Sequence, residues 1–250
     1  MKKYFTGFFM SWGMFTSIPC PLKIWDEEAR GEMLACFPLT GFVVGILWAL
    51  AVFITGKIPA VFRAFITALI PWLLTGFMHL DGYMDVCDAV LSRRDLETRQ
   101  KILKDSRVGA FAVICVILLI TGCICACAGI FTETAGAFDL CKLTNFVLIP
   151  VVSRCAASLC IMNFKPMGTS QYSGRTYEKR LMVLPALCLC LCFVIPVIFK
   201  GSVFVPAGTL AVYLVCALFA KKDLDGMNGD ISGFAQTLAE AGGLAAMMFV

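Results

Sequence analysis

The stretch Ala68-Leu69-Ile70-Pro71-Trp72-Leu73-Leu74-Thr75-Gly76-Phe77-Met78-His79-Leu80-Asp81-Gly82-Tyr83-Met84-Asp85-Val86-Cys87-Asp88 closes a mostly apolar run that begins near residue 58 with a histidine and three carboxylates. Crossing a hydrocarbon core of about 30 Å takes about 20 apolar residues in a helix, so the run reads as a span and the polar cluster stands at a membrane surface. With residues 80 to 92 helical, Asp81, Asp85 and Asp88 fall at i, i+4 and i+7 and share one face. Three like charges on one stripe repel. A bound divalent cation and the basic residues that follow (Arg93, Arg94, Arg99, Lys101, Lys104 and Arg107) are the two sources of compensation, and both are expected to act.

The rest of the chain has the same character. Of its 250 residues 60% are hydrophobic and 15% charged, too few charges to cover a water-facing globule. The apolar residues form long blocks rather than the alternation of a barrel strand. The expected fold is therefore an all-α integral membrane protein, a single domain over residues 1–250. Six to seven transmembrane helices are expected near 33–56, 58–80, 108–130, 143–162, 181–199, 202–220 and 231–250. Gly56-Lys57 makes a tight hairpin between the first two. Residues 4–19 end at Ile18-Pro19-Cys20-Pro21 and are short for a span, so an interfacial or re-entrant helix is expected there. No small-residue cleavage site marks them as a signal peptide. The last span, interrupted by Gly233, Gln236, Glu240, Gly242 and Gly243, is the least apolar.

Lys and Arg sort by loop. One side holds Lys2, Lys3, Lys23, Arg30, the basic residues of 81–107, Lys165, Arg175, Lys179, Arg180, Lys221 and Lys222; the other holds Lys57, Arg63, Lys142 and Lys200. Cytoplasmic loops carry the excess of positive charge, so the loops at 81–107, 163–180 and 221–230 are expected to face the cytoplasm. Most of the 14 cysteines lie inside apolar blocks as small hydrophobes, without C-x-x-C spacing for a structural metal.

The chemistry gathers on the polar side. After the aspartate stripe come Lys104-Asp105-Ser106-Arg107-Val108-Gly109, Gly168-Thr169-Ser170-Gln171 and Asp223-Leu224-Asp225-Gly226-Met227-Asn228-Gly229-Asp230. Carboxylates with Lys and Arg nearby hold a hard cation and the phosphates it bridges, which points to a pyrophosphate substrate. A carboxylate in such a site also serves to accept the proton of an attacking hydroxyl. His79, the lone histidine, either caps the end of a span or takes part in the reaction. Arg154 is costly in lipid and either snorkels or faces a polar cavity; the second is the expectation, with Arg154 as a substrate-binding group. Gly226 and Gly229 form a turn or a backbone approach to phosphate.

At these residues the chain resembles the adenosylcobinamide-GDP ribazoletransferase family, the membrane-bound cobalamin (5'-phosphate) synthases. The family signature runs close to G-G-h-H-L-D-G-h-h-D-x-x-D-G (h apolar), followed by K-D-S-R-h-G. Here Gly76-Phe77-Met78-His79-Leu80-Asp81-Gly82-Tyr83-Met84-Asp85-Val86-Cys87-Asp88-Ala89 and Lys104-Asp105-Ser106-Arg107-Val108-Gly109 stand in those places. The likeness extends through Phe15-Thr16-Ser17-Ile18-Pro19, Phe37-Pro38-Leu39-Thr40-Gly41, Ser153-Arg154, Gly168 and Gly229-Asp230. Phe77 and Ala89 replace glycines of the pattern and Asn228 a threonine.

The resemblance implies attack of the 3'-hydroxyl of α-ribazole, or of its 5'-phosphate, on the cobinamide-linked phosphorus of adenosylcobinamide-GDP, with departure of GMP. Magnesium is the implied cofactor, held by Asp81, Asp85 and Asp88, with one of these or His79 accepting the proton. Asp105 and Arg107 are implied to support metal and pyrophosphate, and Asp230 to complete the site. The lipid bilayer and the two substrates are the expected partners. No nucleic acid is expected, and a homo-oligomer or association with other cobalamin-assembly enzymes stays open.

Two other classes compete. A CDP-alcohol phosphotransferase carries D-x-x-D-G-x-x-A-R, whereas Asp88 here is followed by Ala89-Val90. An ion-coupled transporter places its ionisable groups near the bilayer midplane, where this chain has only Arg154 and Glu240.

Overall fold

The computed structural model describes residues 2–133, 140–168, 170–199 and 201–250; Thr169 and Lys200, cited above, lie outside the described residues. The chain runs through α1 (Lys2–Phe15), α2 (Arg30–Ala35), α3 (Phe37–Ile54), α4 (Ala60–Leu74), α5 (Met78–Leu91) and α6 (Leu96–Ile102). It continues through α7 (Ala110–Glu133), α8 (Leu140–Asn163), α9 (Val183–Ile198), α10 (Phe204–Asp223) and α11 (Gly229–Met247). Among the described residues no strand forms; a single bridge joins Pro166 to Met227.

Among the described residues five segments are long and apolar enough to cross a membrane, and they coincide with α3, α7, α8, α9 and α10. Exposed Ile117 and Leu118 on α7 and Val194 and Val197 on α9 give these helices lipid-facing sides. α1, at 14 residues, is about 21 Å long and short of the bilayer core, in keeping with an interfacial helix.

Two of the seven expected spans turn out differently. The run from 58 to 80 breaks after Leu74, and α5 leaves α4 at 92°. The break is a left-handed helix stop: Gly76 and Phe77 have φ of 59° and 62°, the Phe77 amide donates to Trp72 O, and the Gly76 amide donates to Leu73 O. Ser17 secures the corner from the amino-terminal segment, donating its amide to Leu74 O and its hydroxyl to Leu73 O. Residues 231–250 are helical as expected, but α11 does not reach the apolarity of a span and is instead buried along most of its length against α5, α7, α8 and α10.

Glycine sets how closely the buried helices pack. A Cβ on Gly41 would lie 2.6 Å from the Pro150 carbonyl oxygen, and one on Gly45 would lie 2.7 Å from Val147 Cα, so α3 and α8 touch along their backbones. In the same region Arg154 Nη1 donates to Glu240 Oε1 at 2.8 Å, and Ser153 Oγ donates to the same oxygen at 2.9 Å. Both Arg154 and Glu240 are buried. The arginine expected to bind substrate is thus the cationic half of an ion pair that joins α8 to α11, which offsets part of the cost of a charge at that depth.

Candidate active site

The bend after α4 turns α5 across α11, and small residues let the two helices meet. A Cβ on Gly82 would lie 2.9 Å from Asp230 Cα, and one on Gly233 would lie 3.1 Å from the His79 carbonyl oxygen. Gly233, which reads in the sequence as an interruption of a span, is therefore a packing residue. Asn228 caps α11, accepting from the Ile231 amide at 2.9 Å, a task to which threonine is also suited. Asn228 Nδ2 then donates to Asp230 Oδ2 at 2.7 Å and steadies that carboxylate at the first turn.

The result is a polar cavity of about 240 Å³ lined by Asp81, Asp85, Asp88 and Asp230 together with Lys104, Asp105 and Ser106. Side chains more than a hundred residues apart in sequence are brought to one place. Burial, then the charges of Asp81, Asp230 and Asp88, push the Asp85 carboxyl up to about 7. Asp230 is also pushed up, mainly by burial and further by Asp81, against the lowering effect of its bond from Asn228. Carboxyls raised by burial and by one another are stabilised as anions by a positive partner. Asp105 is the opposite case: its bonds from Arg107, Nε to Oδ1 at 3.0 Å and Nη2 to Oδ2 at 2.7 Å, hold it at about 2. Arg107 itself is exposed and lines the cavity only through this partner.

Asp88 has a different occupation from the one expected of it. Its Oδ2 accepts from the Gly109 amide at 2.6 Å and its Oδ1 from the Ala112 amide at 2.9 Å, so it satisfies the free amides at the start of α7. Gly109 is required there, because a Cβ would lie 2.5 Å from Asp88 Oδ1. Among the described residues no three His, Cys, Asp or Glu side chains stand close enough to enclose a metal ion, so the three-aspartate ligand set is not preformed. Magnesium does not require one: it keeps several waters and is held by one or two carboxylates plus substrate phosphates. Asp81 and Asp85, one turn apart and without an ion-pair partner among the described residues, fit that need.

His79 lies on the far side of the α5–α11 crossing. It lines a second cavity of about 140 Å³ together with Phe15, Phe37, Gln171, Tyr172 and Asp230. Burial, with Arg154 nearby, lowers it to about 3, so the ring is neutral at physiological pH. It does not line the aspartate cavity. The flanking motifs find their place here: Phe15 and Phe37 stack on His79 with centroids 6.4 and 6.0 Å away, and Arg154 lies over Phe37.

Lys104 lines the aspartate cavity and Gln171 and Tyr172 line the His79 cavity; the sequence reading names Lys104 only as a compensating charge and gives Gln171 and Tyr172 no role of their own. Lys104 was visible there as the lysine of Lys-Asp-Ser-Arg. α6 is held to the end of α10 by an Arg99–Asp223 ion pair and by Gln100 Nε2 donating to Leu224 O at 2.9 Å, which fixes the loop carrying Lys104 over the aspartates.

A family model described as cobalamin-5-phosphate synthase matches residues 7–248. The chain belongs to that family. Relatives named adenosylcobinamide-GDP ribazoletransferase extend across it from end to end. One from Clostridium perfringens is 36% identical over 98% of both chains, and one from Clostridium botulinum is 33% identical over 98% of this chain and 97% of its own. Another from a Geobacillus species is 30% identical over 93% of this chain and 91% of its own. No solved structure matches. Membership places the aspartate-lined crossing of α5 and α11 in a family of membrane transferases of cobalamin assembly, and the multi-span helical architecture agrees with it.

Proposed function

We propose that the chain joins adenosylcobinamide-GDP to α-ribazole, or to its 5'-phosphate, at the aspartate cavity, giving adenosylcobalamin or its 5'-phosphate and GMP. The observation that carries this reading is the convergence of Asp81, Asp85 and Asp230 in one cavity with Lys104. The positive-inside pattern supports a cytoplasmic face for the cavity, where nucleotide substrates are found.

The ribose 3'-hydroxyl attacks the phosphorus bonded to cobinamide. A new P–O bond forms, the bond from that phosphorus to the bridging oxygen of the pyrophosphate breaks, and GMP departs with its own phosphate. Displacement of this kind depends on positioning and charge neutralisation more than on covalent help. Asp81 and Asp85 would hold magnesium, which supplies charge neutralisation on the pyrophosphate. Lys104 adds a positive charge at the same cavity. Asp230, half-buried and raised above the ordinary carboxylate range, is the proton acceptor for the hydroxyl. The Asp105–Arg107 pair positions the loop that carries Lys104.

The test is release of GMP by the purified protein in detergent or nanodiscs from adenosylcobinamide-GDP and α-ribazole. GMP should appear only with both substrates and should stop on chelation. Release of CMP from a CDP-alcohol with an acceptor alcohol, and no GMP, would move the chain to the phospholipid-type reaction.

A further inference from the structure

The His79 cavity has the opposite chemistry from its neighbour. Its wall is built of aromatic rings, Phe15 and Phe37 lying 4.3 Å apart between centroids and both near-parallel to His79. Apart from Asp230 its lining residues carry no charge, and no lysine or arginine is among them. A phosphate has no cationic partner there and meets the Asp230 carboxylate, and a corrin macrocycle cannot enter about 140 Å³. A flat, uncharged heterocycle can. His79 supplies the polar feature such a ring requires: the side chain is nine-tenths buried, and Nδ1 is buried with no hydrogen-bond partner among the described residues. A buried nitrogen without a partner is costly, and a turn of the imidazole that brings it to the cavity lets a ligand nitrogen satisfy it.

Asp230 lines both cavities. A molecule with an aromatic ring at one end and a sugar hydroxyl at the other spans them, its ring beside His79 and its hydroxyl at Asp230.

Resting on the reaction proposed above, we infer that the His79 cavity receives the benzimidazole-type base of the acceptor nucleoside, with His79 hydrogen-bonded to the free ring nitrogen and Phe15 and Phe37 forming the apolar wall. His79 is then a specificity-determining residue for the acceptor and not the proton acceptor of the transfer. Gln171, exposed at the cavity rim, marks the entrance on the 163–180 loop.

The experiment measures α-ribazole binding to the full-length protein by the fluorescence of its base, without the second substrate, and then both KM values. Ile161 lines the cavity, and Ile161→Phe should fill it, raising the Kd and KM for α-ribazole roughly tenfold or more while the KM for adenosylcobinamide-GDP stays unchanged. His79→Phe keeps a ring in the stack and removes the nitrogens; loss of one hydrogen bond should weaken α-ribazole about fivefold to tenfold and leave the corresponding indole nucleoside, which has no free ring nitrogen, unaffected. A rise in KM for adenosylcobinamide-GDP instead, or equal weakening of both nucleosides by His79→Phe in a protein of wild-type Tm, would overturn the assignment. Binding of α-ribazole without any release of GMP strikes the proposed reaction and leaves the cavity assignment standing, whereas absence of α-ribazole binding to the wild-type protein removes the assignment itself.

Discussion

Gly82 on α5 lies directly against Asp230 on α11, so close that a Cβ on Gly82 would sit 2.9 Å from the Asp230 Cα and 3.0 Å from its carbonyl oxygen. The crossing that assembles the aspartate cavity therefore depends on a missing methyl group. Gly82→Ala should push the helices apart, cost about 1–3 kcal/mol and lower GMP release by more than the loss of folded protein explains. Gly122→Ala on α7 is the control, since a Cβ there meets nothing within 4 Å. Equal activity and Tm for the two variants would remove the close crossing from the account of the site.

Asp85 links pH to stability. Its ordinary value is 3.8 and its folded value is pushed to about 7 by burial and by Asp81, Asp230 and Asp88. Between those values the native state keeps a proton that the unfolded chain has released, so raising pH favours unfolding. The Asp85 contribution is full below about 4 and is lost as pH rises through about 7. The Tm of metal-free protein should fall across that window, and Asp85→Asn should flatten the fall. Magnesium needs the deprotonated carboxylate, so its stabilising effect should grow with pH; a magnesium shift in Tm that is the same at pH 5 and pH 8 would argue against Asp85 as a ligand.

Capping and cation binding are separable on the same stripe. Asp88 accepts two amides at the start of α7, and Asp88→Ala should cost about 1–2 kcal/mol as the loss of a helix cap. Asp85→Ala removes a repelled carboxylate and should leave metal-free Tm unchanged or higher while abolishing the magnesium response. Thermal unfolding with and without the ion distinguishes them, and the reverse pattern would exchange their roles.

How much of this was legible in the sequence follows from which physics acts locally. The five spans are set by runs of apolar residues and were read close to their bounds. The i, i+4, i+7 stripe of Asp81, Asp85 and Asp88 was correct as a face of one helix, but the capping of α7 by Asp88 depends on where residue 109 lies in space. The burial of α11 was hidden because Gln236 and Glu240 look like interruptions until Arg154 is placed beside Glu240. The bend after α4 was signalled only by Gly76 and by the family's second glycine, for which Phe77 stands here.

That position carries its own prediction. Phe77 adopts φ of 62°, a region in which a side chain is strained, and about half of its surface is exposed. Phe77→Gly should relieve about 1 kcal/mol, the usual penalty of a left-handed residue less the added freedom of the unfolded chain. The Tm in detergent should rise slightly with activity retained; a fall would mean that the exposed ring contributes more than the strain it imposes.

The last prediction concerns Arg154, whose pairing with Glu240 replaces the substrate contact expected from the sequence. Removing one partner leaves a buried charge unpaired, so Arg154→Met and Glu240→Leu should each destabilise by about 3–5 kcal/mol. Combining them restores neutrality and should recover most of the loss, because an apolar pair of similar volume can replace a buried ion pair. GMP release should then recover in step with stability, measured as activity per folded molecule. A double variant that folds with wild-type Tm but stays inactive would return Arg154 to the substrate, and would require the Phe37 and His79 wall beneath it to open during the reaction.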